Sequence, residues 1–375
     1  MSNQRKFNIT VLPGDGIGPE VIDQGIKVLD AVADRFGFSL EYCVGDIGAI
    51  AIDRHGTPLP DETIDACTKA DAVFLGAIGH PKYDHDPSAK IRPEQGLLKL
   101  RKSLGLYANI RPVTVYPELA DLSPLKKHIL DGTDFVIYRE LTSGIYFGKS
   151  GRNPEENGAY DTCYYNEAEI RRITKLAFDA ARQRSGKVTL VDKANVLESS
   201  RLWREIVRDM AASAEGIELE YLFVDNAAMQ MIVAPNQFDV VLTSNMFGDI
   251  LSDEGSVISG SLGMLPSASI GEHSSLFEPV HGSYPQAAGK DIANPLATIL
   301  SGAMLLESLE QFEAAKAIRD AVALICRFGI GTQDLKMNIT CSCSQLGDLI
   351  TSAIQEGETF GLRRGTIEES VSTII

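Results

Sequence analysis

Short apolar runs, each closed by glycine, proline or a charged residue, alternate along this chain with longer amphipathic stretches. Residues 7–12 (Phe-Asn-Ile-Thr-Val-Leu), 72–79, 135–140, 187–192, 219–224 and 238–243 have the length and composition of buried strands. Residues 21–36, 93–102, 166–185, 199–214, 292–307 and 310–328 carry apolar positions at helical spacing. Asn166, followed three residues later by Glu169, has the form of a capping box. Strands that alternate with helices predict an α/β fold, though not the order of its strands. Residues 142–165 interrupt the alternation: aromatic and glycine-flanked first, polar from Lys149 to Asp161, strand-like again at 162–165. They read as a hairpin-like arm that reaches a partner subunit. Residues 275–283 read as the start of a loop that runs to Asn294, and residues 331–334 as a turn. From Glu356 on the chain is charged and aperiodic, which predicts a weakly ordered tail.

The chemistry gathers where strands end. After the apolar run 238–243, residues 245–253 (Asn-Met-Phe-Gly-Asp-Ile-Leu-Ser-Asp) enter a helical pattern, so Asp249 and Asp253 share one helical face. A solvated face accounts for many such pairs. Just beyond a strand's carboxyl end, where α/β proteins bind ligands, the pair suits a hard divalent cation, Mg²⁺ or Mn²⁺. Asp225 closes the 219–224 run and adds a third carboxylate near the same edge. Lys193 follows the 187–192 run; it is either a base with its pKa lowered among cations or a lysine leaving for water. Arg101, Arg111 and Arg139 read singly as surface charges, and together as a grip for a carboxylate-rich substrate. Tyr146 is a candidate acid or an aromatic that fills a gap. Residues 13–20 (Pro-Gly-Asp-Gly-Ile-Gly-Pro-Glu) form a strand-to-helix loop that serves equally as a tight turn or a nucleotide contact. Its spacing is not that of the G-x-G-x-x-G dinucleotide fingerprint.

Composition narrows the classes. With 375 residues, 44% hydrophobic and 23% charged, the chain has room for roughly two globular domains. A formal net charge of −16 argues against a nucleic-acid surface. The apolar run at the start is too short for a signal peptide and no segment has the length of a membrane span, so cytoplasm is the expected location. Cys43, Cys67, Cys163, Cys326, Cys341 and Cys343 lack zinc-ligand spacing and read as reduced thiols, mostly in the core.

Residues 14–20, 138–148 (Tyr-Arg-Glu-Leu-Thr-Ser-Gly-Ile-Tyr-Phe-Gly), 192–196 (Asp-Lys-Ala-Asn-Val), 245–253 and 278–283 (Glu-Pro-Val-His-Gly-Ser) resemble, in this order, segments of the β-decarboxylating dehydrogenases. That family comprises isopropylmalate, isocitrate and malate/tartrate enzymes, and the resemblance runs from about Phe7 to about Ile354. Residues 93–101 are similar to its isopropylmalate branch, in which a glutamate and paired leucines, here Glu94, Leu97 and Leu98, receive the isopropyl group. Isocitrate members present serine and asparagine there, for an extra carboxylate. An apolar pocket rejects such a charge, because it would be desolvated without a partner.

The resemblance implies a two-domain fold with one discontinuous domain, distinct from the standard Rossmann fold. Residues 1–106 plus 260–375 would form the cofactor side, and 107–259 the substrate, metal and dimer domain with the arm 142–165. It implies a homodimer with shared sites: Lys193 and Asp225 from one subunit, Tyr146, Asp249 and Asp253 from the other. Tyr146 and Lys193 would be catalytic, and Arg101, Arg111, Arg139 and Asp225 would join Glu94, Leu97 and Leu98 at the substrate. Asp225, Asp249 and Asp253 would hold Mg²⁺ or Mn²⁺. Ile17, Gly79, Glu278, His281, Gly282, Ser283, Gln286, Ala288, Gly289, Asn294 and Asp334 would bind the nicotinamide cofactor. NAD-using members have aspartate where Gln286 stands, and NADP-using isocitrate members a lysine–tyrosine pair; Gln286 can bond a ribose hydroxyl and brings no cation for a 2′-phosphate, so NAD is expected. The implied reaction is oxidative decarboxylation of 3-isopropylmalate to 4-methyl-2-oxopentanoate and CO₂ in leucine biosynthesis. A D-malate, tartrate or isocitrate dehydrogenase of the same family is the alternative, and a non-catalytic regulatory paralogue a remoter one.

Overall fold

The computed structural model describes residues 5–84, 91–272, 274–357 and 360. Most of the tail expected after Glu356 lies outside the described residues. In chain order the elements are β1 (Lys6–Gly14), α1 (Gly18–Phe36), β2 (Ser39–Val44), α2 (Ala49–His55), α3 (Asp61–Lys69), β3 (Ala72–Ala77), α4 (Pro81–Asp84) and α5 (Pro93–Ser103). Then follow β4 (Ala108–Thr114), α6 (Lys127–Leu130), β5 (Asp134–Glu140), β6 (Ser150–Asn153), β7 (Gly158–Asp161), α7 (Glu167–Arg182), β8 (Lys187–Asp192), α8 (Glu198–Ala211), β9 (Glu218–Phe223), α9 (Val224–Val233), β10 (Val240–Thr243) and α10 (Asn245–Ile258). The last are β11 (Pro266–Ile270), β12 (Ser275–Pro279), α11 (Leu296–Ser308), α12 (Phe312–Arg327), β13 (Ile330–Gly331), β14 (Ile339–Thr340) and α13 (Cys343–Glu356). The α/β class expected from the alternation is the class observed.

The chain forms two compact units, one of residues 1–104, 261–268 and 273–375, the other of 105–260 and 269–272. In the first, strands run in the order β2-β1-β3-β12, all parallel. Strand β3 is buried along its whole length, which is why it reads as a continuous apolar run. In the second unit the order is β4-β5-β10-β8-β9, with β4 antiparallel and the rest parallel. One core lies under α7 and α8 around Phe178 and Trp203, another around Phe135, Phe238 and Leu251.

Some local expectations are corrected. Residues 275–279 are strand β12, because Leu276 and Phe277 pair with Val73 and Phe74 of β3 and are buried there. Residues 162–165 are not a strand; the hairpin of the arm is β6 with β7. Asp225 does not close β9; it stands in the first turn of α9, where the helix dipole favours a carboxylate. Asn166 and Glu169 form the expected capping box. Among the described residues no helix is long and apolar enough to cross a membrane. Four of the six cysteines are buried, Cys43 and Cys163 are exposed, and all six are free.

Candidate active site

In the second unit, parallel pairing brings the carboxyl ends of the strands into line. Arg139 of β5 is level with Thr243 of β10, and Thr243 with Val191 of β8. Helix α10 starts directly after β10, so its first two turns stand over Arg139. Gly248 lets that happen: a Cβ there would lie 2.5 Å from Cγ of Arg139. The Arg139 guanidinium, nearly buried, donates to Asn245 Oδ1 through Nε (3.2 Å) and Nη2 (2.9 Å) and to Asp249 Oδ1 through Nη1 (2.5 Å). The Tyr146 hydroxyl donates to Asp249 Oδ2 at 2.8 Å, and the Arg139 guanidinium lies 6.0 Å from the Tyr146 ring centre. Burial first, and the Asp249 carboxylate second, push the Tyr146 phenol above its ordinary pKa, so it stays protonated. Asp253, one turn further along α10, is exposed.

Lys193 leaves β8 on a turn pinned by buried Asp192, which takes two 2.8 Å hydrogen bonds from Arg204 and one from the Ala194 N–H. Its Nζ donates to Asp225 Oδ1 at 2.5 Å. The partner of Lys193 is therefore a carboxylate, where the sequence suggested a crowd of cations. The Lys193 hydrogen bond, and then backbone N–H groups of α9, hold the Asp225 carboxyl below the usual carboxylate range. The pairs Lys193–Asp225 and Tyr146–Asp249 are thus two separate clusters. Among the described residues, no three carboxylate, histidine or cysteine side chains come together as a metal-ligand set within one chain. Arg111, on β4, donates through Nε to Asn109 Oδ1 at 2.9 Å. Asn245, absent from the sequence-derived site, joins the cluster of Arg139, Asp249 and Tyr146 through the Arg139 guanidinium; it heads the 245–253 motif, which was the available signal.

In the first unit, the loop after β1 turns on Gly14, whose φ of +70° no side chain tolerates here, since a Cβ would lie 2.0 Å from the Ala77 carbonyl oxygen. Asp15 is buried beneath it and accepts from the N–H groups of Ala49, Ile50 and Gly79. Burial raises its pKa. The Ile17 N–H donates to the Ser283 carbonyl at 2.8 Å, which joins this loop to residues 281–283. A cavity of about 300 Å³ opens beside them, lined by Ile17, His281, Tyr284, Ile292, Asn294 and Asp334 among others. His281 Nδ1 lies 3.0 Å from the Gly282 carbonyl and must donate to it, which leaves Nε2 as a buried acceptor without a protein partner. Burial holds the ring below its ordinary pKa and hence neutral. Asn294 donates to Asp334, which also accepts from Ser261 and Thr332. Gln286, Ala288 and Gly289 are exposed, and the Gly289 N–H donates to Glu20. Glu278, expected at the cofactor, accepts from Arg101 Nη2 at 3.0 Å. On α5, Leu97 is half-buried and Leu98 is 55% exposed, with Glu94 also exposed one turn earlier.

Residues 8–350 match the family model described as isocitrate/isopropylmalate dehydrogenase. The 3-isopropylmalate dehydrogenase of Bacillus subtilis (strain 168) is 54% identical over 364 residues, covering 95% of this chain and 99% of that protein. The enzyme of the same name from Pseudomonas putida is 52% identical, covering 92% and 98%. Among solved structures, isocitrate dehydrogenase from Methylococcus capsulatus is 37% identical with a TM-score of 0.81, covering 93% of this chain and 99% of that one. A β-decarboxylating dehydrogenase from Thermococcus kodakarensis is 35% identical with a TM-score of 0.78, covering 93% and 96%.

Proposed function

This chain belongs to the isocitrate/isopropylmalate dehydrogenase family, and we propose that within it the chain is an NAD-dependent 3-isopropylmalate dehydrogenase of leucine biosynthesis. The observation that carries the choice of substrate is the surface of α5. Leu97 and Leu98 offer apolar area one turn before Arg101, with Leu98 55% exposed. Burial of an isopropyl group against leucine is worth about 1.5–3 kcal/mol, and an extra carboxylate there would be desolvated without a partner.

Oxygen donors without histidine or cysteine suit Mg²⁺ or Mn²⁺, and Asp249 and Asp253, one turn apart on α10, meet that requirement from one chain. Asp225 completes the set from a second copy in this reading, since one chain keeps it apart, paired with Lys193. Apolar residues left exposed on α9 (Met229, Val233) and α10 (Ile250, Val257) support a homodimer with shared sites. The cavity beside His281 suits the adenosine part of NAD, with the unpartnered Nε2 as an acceptor for a nucleobase amine or ribose hydroxyl. Ile17, Gly79, Glu278, Gly282, Ser283, Gln286, Ala288, Gly289, Asn294 and Asp334 complete the proposed cofactor contacts.

In the proposed mechanism Arg101, Arg111 and Arg139 grip the two substrate carboxylates, and Glu94, Leu97 and Leu98 receive the isopropyl group. When bound, the cation supplies Lewis acidity at the C2 hydroxyl and its neighbouring carboxylate, and NAD supplies the hydride acceptor. Lys193 takes the C2 hydroxyl proton, directly or through water. After CO₂ is lost from the β-keto acid, Tyr146 delivers a proton to the carbon it leaves, giving 4-methyl-2-oxopentanoate. The test is the initial rate of reduced-nicotinamide formation with Mn²⁺, for 3-isopropylmalate, D-malate, tartrate and isocitrate, each with NAD and NADP. A lead for 3-isopropylmalate with NAD is expected. A lead for malate or isocitrate would overturn the reading of α5, and a comparable efficiency with NADP would overturn NAD.

A further inference from the structure

We propose that Asn245 is a positioning residue for Tyr146: it ties the turn that carries Tyr146 to the guanidinium of Arg139, so that the carboxylate grip and the proton donor share one frame. The inference rests on the role of Tyr146 proposed above. Asn245 is the first residue of α10 and only 1% exposed. Its Oδ1 accepts from Arg139 Nε and Nη2 at 3.2 and 2.9 Å. Its Nδ2 donates to the Ser143 carbonyl at 3.0 Å. Its backbone N–H donates to the Tyr165 hydroxyl at 2.9 Å. A carboxamide suits this place because it turns an acceptor to a cation and a donor to a carbonyl from one planar group. A carboxylate would set an oxygen against the Ser143 carbonyl, and an ammonium would repel Arg139.

The same turn is held from its other side. Glu140 is wholly buried, and its carboxylate accepts from the Thr142 N–H (3.0 Å), the Thr142 hydroxyl (2.8 Å) and the Ser143 N–H (2.9 Å). Ser143 is therefore clamped at its N–H by Glu140 and at its carbonyl by Asn245. The next residue, Gly144, has φ +81°, and a Cβ there would lie 2.2 Å from the Tyr165 hydroxyl that Asn245 also bonds. The backbone is thus fixed just before Tyr146, whose hydroxyl meets Asp249 one turn along α10 from Asn245. Arg139 donates to both helix residues, while the amide nitrogen of Asn245 alone reaches the turn before Tyr146, so losing that donor frees the turn and leaves the guanidinium held. The one-turn spacing of Asn245 and Asp249 is what lets a single helix hold both.

The test is a double-mutant cycle. Asn245→Asp keeps the acceptor facing Arg139 and loses the donor facing Ser143. On the native background it should lower kcat by ~10²-fold with KM changed by less than ~3-fold, and on the Tyr146→Phe background it should cost less than ~3-fold more. In protein with ring-labelled tyrosine, the Tyr146 NMR signal, assigned by its loss in Tyr146→Phe, should shift in Asn245→Asp. Equal kcat losses on both backgrounds, or an unmoved Tyr146 signal, would overturn the proposal. Native turnover in Tyr146→Phe would instead overturn the proton-donor role itself, and this proposal with it. If Asn245→Asp does not fold, Glu140→Gln, which disturbs the Ser143 N–H end of the clamp, is read in the same cycle with the same criteria.

Discussion

The Tyr146 hydroxyl donates to one oxygen of Asp249 at 2.8 Å while the other oxygen accepts from Arg139 at 2.5 Å. One carboxylate thus orients the proposed proton donor and part of the proposed substrate grip. Tyr146→Phe or Lys193→Ala should cut turnover by at least ~10² while circular dichroism and thermal midpoint stay near native. Near-native turnover in either variant removes that residue from the mechanism.

Asp253 is exposed and stands one turn from Asp249. Asp253→Asn should weaken Mn²⁺ binding by at least ~10-fold, by analogy with the 10–100-fold cost of disturbing even the outer partners of a metal site. Mn²⁺ paramagnetic resonance or calorimetry reads this without turnover, and an unchanged affinity excludes Asp253 as a ligand.

Gln286 is exposed and neutral at the place proposed to face the adenosine ribose. Gln286→Asp should leave NAD binding within ~3-fold and weaken NADP binding by at least ~10-fold, because a carboxylate repels a 2′-phosphate. Calorimetric titration of both cofactors decides; equal loss for both would place Gln286 away from the ribose.

Leu98→Asn places a polar group on the proposed isopropyl surface. It should lower kcat/KM for 3-isopropylmalate by ~10-fold, within the range one small apolar contact gives, and leave D-malate within ~3-fold. Equal losses for both substrates would show that Leu98 does not read the side chain.

Asp239 supports the second unit away from the site. Burial raises its carboxyl pKa, but hydrogen bonds from Ser185 and Arg184 outweigh burial, and the net shift is downward. A depressed folded-state pKa contributes stability that is present above the unfolded value near 3.8 and is lost as pH falls through the folded one. Asp239→Asn should therefore lower stability by about 1–3 kcal/mol at pH 7, with the difference from the native chain closing below about pH 4. Urea titrations across pH check both parts; a difference independent of pH would mean that the carboxylate charge plays no part.

The alternation of strand and helix, and hence the α/β class, was legible in the sequence because buried parallel strands read as unbroken apolar runs, as in β3 and β10. So was the helical face that carries Asp249 and Asp253, since a period of 3.6 is a local property. Short pieces were misread where tertiary context decides: β12 exists because β3 offers Leu276 and Phe277 a buried place. Which charges meet was not legible either. The pairing of Lys193 with Asp225, of Arg101 with Glu278, and of Tyr146 with Asp249 spans 32, 177 and 103 residues. No local periodicity encodes such separations. The sequence by itself determined which elements form and which side chains carry chemistry, because propensity and burial pattern act over a few residues. Only the tertiary structure decided which of those side chains share a site and which buried amide holds them there, because strand register and close packing at Gly144 and Gly248 bring remote residues together.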